Sequence, residues 1–427
     1  MELKYNLEDT PGWKENLLYG LQWLAVILPI IIIIGKILGA MTGSPILEVN
    51  YLQRVCAATG IAMLGQLYWG HRLPLVIGPA TVLLIGIMAS QGSAPAAGYT
   101  SIAIGGIILA LLAATGLFAR LQSLFTPRVV AVILLLVAFT ITPTIVKLIS
   151  ANEGASPARH LAFAFVFTLL IFTGQRYLKG LLKSLLILLA IVAGSLGYFL
   201  VNPAWISGAN AVKLGMVASF TQNYSPELVF EPGVLITFLF CFIGLSINDL
   251  GSIQAVGLTL KAGNMPRRIT RGLTATGVSN TLAGFLGVIG PVNFSFSPGI
   301  IASTGCAARQ SLAPAAAALL VLAFTPRVIF YLSNIPSVVI GTLLLYIMCT
   351  QVAAGLTAAF DALDELGEPR FDNTLVISLP MLAAIIVAFL PQSAAASFPP
   401  ALQPVLGNGF VVGIVLVLLL EHVIYKK

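Results

Sequence analysis

The chain has 427 residues, 58% of them hydrophobic and 9% charged, and its 22 Lys and Arg against 15 Asp and Glu give a net charge of +7. Mean hydropathy is +0.99, and soluble domains carry roughly 25% charged residues, so a water-soluble fold is excluded. The basic residues are scattered through short connections instead of forming a stripe or arm, so the positive charge does not point to nucleic acid.

In chain order, Glu2, Glu8, Asp9 and Glu15 precede the first apolar run. A cleavable signal would open on basic residues, so the first span is expected to stay in the mature protein. Runs of the length that crosses ~30 Å of hydrocarbon predict spans over 16–36, 50–69, 74–91, 99–119, 127–149, 160–178 and 184–202. A polar stretch over 202–231, with Trp205, Asn210, Asn223 and Tyr224, then separates these from runs over 232–257, 270–289, 291–308, 311–325, 337–357, 374–391 and 405–424. Seven and seven is the count an inverted repeat requires, because an odd number of spans makes the second copy enter from the opposite face. The expectation is an all-α membrane protein of fourteen spans forming one membrane domain over 1–427, with repeats over 1–201 and 232–427. With the N-terminus inside, inner connections and termini collect 16 Lys and Arg and outer ones 6, which places both termini in the cytoplasm of a multi-pass inner (plasma) membrane protein.

Two spans break the helical pattern. The third opens Leu73-Pro74-Leu75-Val76-Ile77-Gly78-Pro79-Ala80-Thr81 and the tenth opens Gly290-Pro291-Val292-Asn293-Phe294-Ser295-Phe296-Ser297-Pro298-Gly299. Each reads as a short extended segment followed by a half-helix, with Pro79 and Pro298 at the helix starts and Ser297 as an N-cap. Irregular backbone at membrane depth must be buried in protein or line a cavity, so two breaks imply one central site whose half-helix N-termini suit a carbonyl oxygen or an anion. The alternative is a pair of proline kinks with no ligand. Among the acidic residues only Asp249 lies deep in an apolar run, within Ser246-Ile247-Asn248-Asp249-Leu250-Gly251-Ser252. An ionisable group there costs ~3 kcal/mol or more unless paired or hydrated, which makes Asp249 a candidate proton carrier, or a residue paired with an inner Arg. Positions 248 and 252 share one helix face. Glu421 and His422 read as interfacial. Cys56, Cys241, Cys306 and Cys349 have no metal-ligand spacing and read as buried free thiols. No clustered His, Cys or carboxylate set and no phosphate-cradling loop is present, so no enzyme, cofactor or metal is expected and no catalytic residue is assigned.

At these residues the chain resembles the nucleobase–ascorbate transporter family, the uracil and xanthine permeases. Tyr19-Gly20-Leu21-Gln22-Trp23-Leu24 is similar to the family's Leu-Gln-His start of the first span, with Trp23 in place of His, and 73–78 to its Pro-x-x-x-Gly entry to the third. The run from Gly299 to Arg309 resembles the tail of its signature motif in the tenth span, and Ile335-Pro336-Ser337-Val338-Val339-Ile340-Gly341 its Ile-Pro-x-x-Val-x-Gly at the twelfth. The resemblance implies fourteen spans in two inverted repeats, with spans 1–4 and 8–11 as a core and spans 5–7 and 12–14 as a gate, and a homodimer. It implies a substrate site between core and gate at Ile30, Thr81, Asn248, Phe294, Ser295, Phe296 and Ser297, to which the half-helix start adds the backbone amide of Gly299 as a candidate contact. The sequence has Asn248 where the family carries an acid, and Phe296 and Ser297 where it carries Gln or Glu followed by Asn. The expected activity is secondary active, alternating-access symport of a purine- or pyrimidine-like solute through the lipid bilayer, with a proton or sodium ion as co-substrate. A small organic or inorganic anion, or a non-transporting or channel-like relative, are the alternatives.

Overall fold

The computed structural model describes residues 3–90, 92–118, 124–151, 156–202, 214–221, 224–294, 297–364, 371–391, 394, 397–399 and 402–425. Trp205, Asn210 and Asn223 lie outside them. The first half contributes α1 (Trp13–Gly39), α2 (Pro45–Tyr68), β1 (Ile77–Pro79), α3 (Thr81–Ala89) and α4 (Pro95–Ala114). It continues through α5 (Pro127–Thr140), α6 (Thr142–Ile149), α7 (Pro157–Tyr177), α8 (Gly180–Ser184) and α9 (Leu186–Val201). The second half begins with α10 (Pro232–Thr259), α11 (Met265–Phe285), β2 (Pro291–Asn293), α12 (Ser297–Thr304) and α13 (Ala313–Ala323). It ends with α14 (Pro326–Ser333), α15 (Ser337–Asp364), α16 (Phe371–Ala388), α17 (Gln403–Leu406) and α18 (Gly409–Leu419).

Proline sets many of these starts. Pro45, Pro95, Pro127, Pro157, Pro232 and Pro266 each fall in the first turn, where the missing N–H has no helical partner to lose. Thr126 caps α5 by accepting from Val129 N at 3.3 Å, and Asn408 caps α18 by accepting from Phe410 N at 3.0 Å.

The two extended segments find each other. β1 and β2 pair antiparallel with Gly78 opposite Val292, and the ladder is flanked by Phe294 N donating to Val76 O and Ala80 N to Gly290 O, both at 2.9 Å. Pro79 stands opposite Pro291; neither has an N–H, and the pairing passes over them to the Ala80 N–Gly290 O bond. This corrects the expected helix start at Pro79, which belongs to the strand, while the helix begins at Thr81. Ser297 is likewise the first residue of α12 and not its cap: its hydroxyl accepts from Val76 N at 3.0 Å and donates to Phe294 O at 2.7 Å.

Two sets of helices pack internally. In the first, α4 lies along α11, α2 along α13, and α10 against α4 and α3; in the second, α15 lies along α5, and α16 and α18 pack against each other and α5. The α4–α11 contact is close because it is made of small residues: a Cβ on Gly277 would sit 2.5 Å from Ala110 N, so the backbones themselves touch. At the far end of the second set Arg128 Nη2 donates to Glu421 Oε1 at 3.0 Å, with both side chains under a tenth exposed. Glu421 is therefore a buried ion-pair partner and not an interfacial residue; Arg128, one residue into α5, is what draws it inward. His422 Nε2 reaches Leu124 O at 2.8 Å.

The described chain is predominantly helical. Among the described residues six helices are long and apolar enough to cross a membrane, seven if the pair 309–323 and 326–333, bent by 100°, is one span. The bend at Thr325-Pro326 puts a helix where the sequence reading had only a connection, because Pro326 starts a new helix as readily as it ends the old one. Cys56, Cys241, Cys306 and Cys349 are free thiols.

Candidate functional site

Where the two helix sets face each other, a cavity of about 480 Å³ opens beside the β1–β2 junction. One wall is formed by Ile30 of α1, Thr81 of α3, Asn248 of α10, and Phe294 and Gly299 beside and within α12. Five of the sequence-predicted residues are thus brought to one wall. Ser297 is buried just behind it, holding β1 to the start of α12. Ser295 and Phe296 lie outside the described residues. Trp23, which stands at the position of the family's His, is away from the cavity and donates from Nε1 to Ser311 Oγ at 2.9 Å.

Gly78 explains how Phe294 reaches the wall. A Cβ at position 78 would lie 2.8 Å from Phe294 Cε2, so the ring rests on bare backbone that only glycine leaves open. Asn248 is fixed by Nδ2 donating to Asn293 O at 3.1 Å, with Ser252 Oγ 3.0 Å from the same oxygen. That leaves the Asn248 carboxamide oxygen and the second hydrogen of its amide for a ligand.

Asp249 does not line the cavity. One residue beyond Asn248, its side chain points about 100° around the helix, away from the wall. Oδ1 accepts from Asn293 N at 2.9 Å and Asn293 Nδ2 at 2.6 Å, and Oδ2 accepts from Thr276 Oγ1 at 2.7 Å. Thr276 in turn accepts from Gln66 Nε2 at 2.9 Å, and Asn280 Nδ2 donates to both Thr276 O and Pro291 O at 2.8 Å. His71 Nδ1 accepts from Leu73 N at 2.9 Å, so the neutral ring carries its proton on Nε2 and donates it to Asn293 Oδ1, 3.1 Å away. This web satisfies the polar groups of a strand held at membrane depth, which lipid could not. Thr276, Asn280, Gln66 and His71 were not singled out from sequence; polar residues recurring on one face of α11 were the available signal.

The second helix set completes the cavity. Leu344, Ile347, Met348 and Gln351 recur at the spacing of one face of α15, joined by Ile133, Leu134 and Val137 of α5. At the mouth Gln175 and Lys183 are shared with an adjoining space of about 450 Å³ bounded also by Phe172 and Arg176. Among the described lining residues there is no Asp or Glu. The arrangement is that of a ligand pocket: concave, mostly apolar, with a few convergent polar groups.

Known permeases are similar to this chain along most of its length. The model of the permease family, the xanthine and uracil permeases, matches residues 14–393. A xanthine permease of Bacillus subtilis is 24% identical over 94% of this chain and 92% of its own length, and a uric acid permease of the same organism 24% over 93% of each. A uric acid transporter of Escherichia coli is 24% identical over 80% of this chain and 70% of its own. The transmembrane domain of a cyanobacterial bicarbonate transporter superposes with a TM-score of 0.59 at 15% identity, covering 87% of this chain and 95% of that one. The murine anion transporter SLC26A9 superposes at 0.60 and 11% identity, covering 96% and 68%. The last two speak to fold alone.

Proposed function

The chain belongs to the permease family, and on that premise we propose that it carries a purine- or pyrimidine-like solute across the membrane by alternating access. The observation that carries the reading is the cavity: Asn248, Thr81 and Phe294 converge on an apolar space where two broken helices meet. A planar heterocycle stacks on Phe294 and gives a hydrogen bond to the Asn248 carboxamide oxygen.

In this reading the fourteen spans form two inverted repeats, and the first helix set is a core that moves as a unit against the second, the gate. The separate internal packing of the two sets supports it. Both chain termini lie in the cytoplasm of the inner (plasma) membrane, the protein works as a homodimer, and a proton bound at Asp249 drives accumulation. The burial of Asp249 among neutral donors supports that last assignment, since protonation there changes the charge of the core itself.

A second reading keeps the fold and takes a small anion. It is favoured by Lys183 at the mouth and the absence of carboxylates from the described lining. Thermal unfolding of the purified protein against a panel of purines, pyrimidines, carboxylates and inorganic anions separates the two: stabilisation by bases that anions do not compete supports the first, and stabilisation by anions alone overturns it.

A further inference from the structure

The core wall is poor in hydrogen-bonding capacity. Asn248 spends one N–H of its amide on Asn293 O, which leaves its carboxamide oxygen and one further N–H, and Thr81 adds one hydroxyl. The edge of a nucleobase alternates donors and acceptors a few ångströms apart, and the side chain that matches two of them at once is a carboxamide. Besides Asn248, the described lining residues include two carboxamides, Gln175 at the mouth and Gln351 on α15. Gln351 falls on the cavity stripe with Leu344, Ile347 and Met348. Position 351 is only partly buried, and the side chain has no hydrogen-bond partner among the described residues.

We propose that Gln351 is the specificity-determining residue of this site: from the gate side it reads the polar edge of the base while Asn248 and Phe294 hold the ring from the core side. The proposal rests on the nucleobase reading given above and deepens it. It has a mechanical consequence. A ligand engaged by Asn248 on α10 and Gln351 on α15 ties the two helix sets together, so recognition and closure become one event. A ligand that satisfies only the core wall leaves the Gln351 amide without a partner as the cavity closes, and discrimination against it follows.

The test is binding of a purine and pyrimidine panel to the full-length protein in detergent, for wild type, Gln351→Leu, Gln351→Glu and Gln175→Leu. Unfolding temperature without ligand serves as the folding control. The expected result is a loss of roughly 10- to 100-fold in affinity for the best base in Gln351→Leu at unchanged unliganded unfolding temperature, against less than about threefold in Gln175→Leu. Gln351→Glu, which keeps the size and removes the donor, is expected to change the rank order of bases, which a purely structural role would not do. Wild-type affinity and rank order in both Gln351 variants, with the base still binding, overturns the proposal while leaving the nucleobase reading intact. Failure of every base to bind wild type overturns both.

Discussion

The side-chain amide of Asn248 and the main-chain carbonyl of Asn293 are joined by a 3.1 Å hydrogen bond, so one residue both faces the cavity and fastens the strand that forms its edge. Ser252 Oγ stands 3.0 Å from the same carbonyl and keeps it partnered when the amide is removed. Asn248→Leu is therefore expected to cost only about 1 kcal/mol of stability while lowering base affinity by at least about tenfold. Melting curves with and without ligand measure both; undiminished ligand affinity would remove Asn248 from the site.

Asp249 holds three donors, so its two substitutions should differ. Asp249→Ala leaves Asn293 N, Asn293 Nδ2 and Thr276 Oγ1 without their acceptor, at about 1–3 kcal/mol for each orphaned group, and is expected to fold poorly. Asp249→Asn keeps an acceptor for Asn293 and is expected to fold. In proteoliposomes it should lose accumulation driven by a pH gradient and retain solute exchange. Accumulation at the wild-type level in that variant would take Asp249 out of the coupling mechanism and leave it a strand anchor.

Gly78 and Phe294 give a steric prediction. Gly78→Ala places a methyl 2.8 Å from Phe294 Cε2, a distance real Cβ atoms do not tolerate, so the ring must tilt off the strand. Base affinity is expected to fall about tenfold or more, since stacking geometry sets much of an aromatic contact's worth. Titration by calorimetry reads this, and a Gly78→Ala protein that binds as wild type would show that Phe294 does not stack on the ligand.

The buried pair Arg128 and Glu421 ties α5 to the end of the last helix. Glu421→Ala strands a buried guanidinium and is expected to cost about 3–5 kcal/mol, whereas Arg128→Met with Glu421→Leu is expected to recover most of it. Unfolding of the three proteins is the check, and equal destabilisation in single and double variants contradicts the account.

Much of this was legible in the sequence, for identifiable reasons. The proline- and β-branched-rich stretches around Gly78 and Val292 make poor helices, and extended backbone cannot face lipid, so extended segments at a central site are the reading preferred over proline kinks. Ile30, Thr81, Asn248 and Phe294 came from a family resemblance and Gly299 from the half-helix start, and all five fall on one wall. The placement of Ser297 as a cap failed because its hydroxyl is drawn across the sheet to Val76, a tertiary contact that no local rule contains. Glu421 was misread because position near a span end says nothing of an arginine about 290 residues away. The α15 side of the cavity was missed altogether: the 344, 347, 348, 351 stripe looks like ordinary packing until it is found to line the cavity.

The central claim is that this cavity carries a nucleobase-like solute, and counterflow in proteoliposomes tests it most directly. Vesicles loaded with an unlabelled purine should take up the same labelled purine saturably, with unlabelled bases competing and Asn248→Leu reducing the signal. Vesicles that exchange no member of a purine and pyrimidine panel, while the protein in them remains folded, would contradict it.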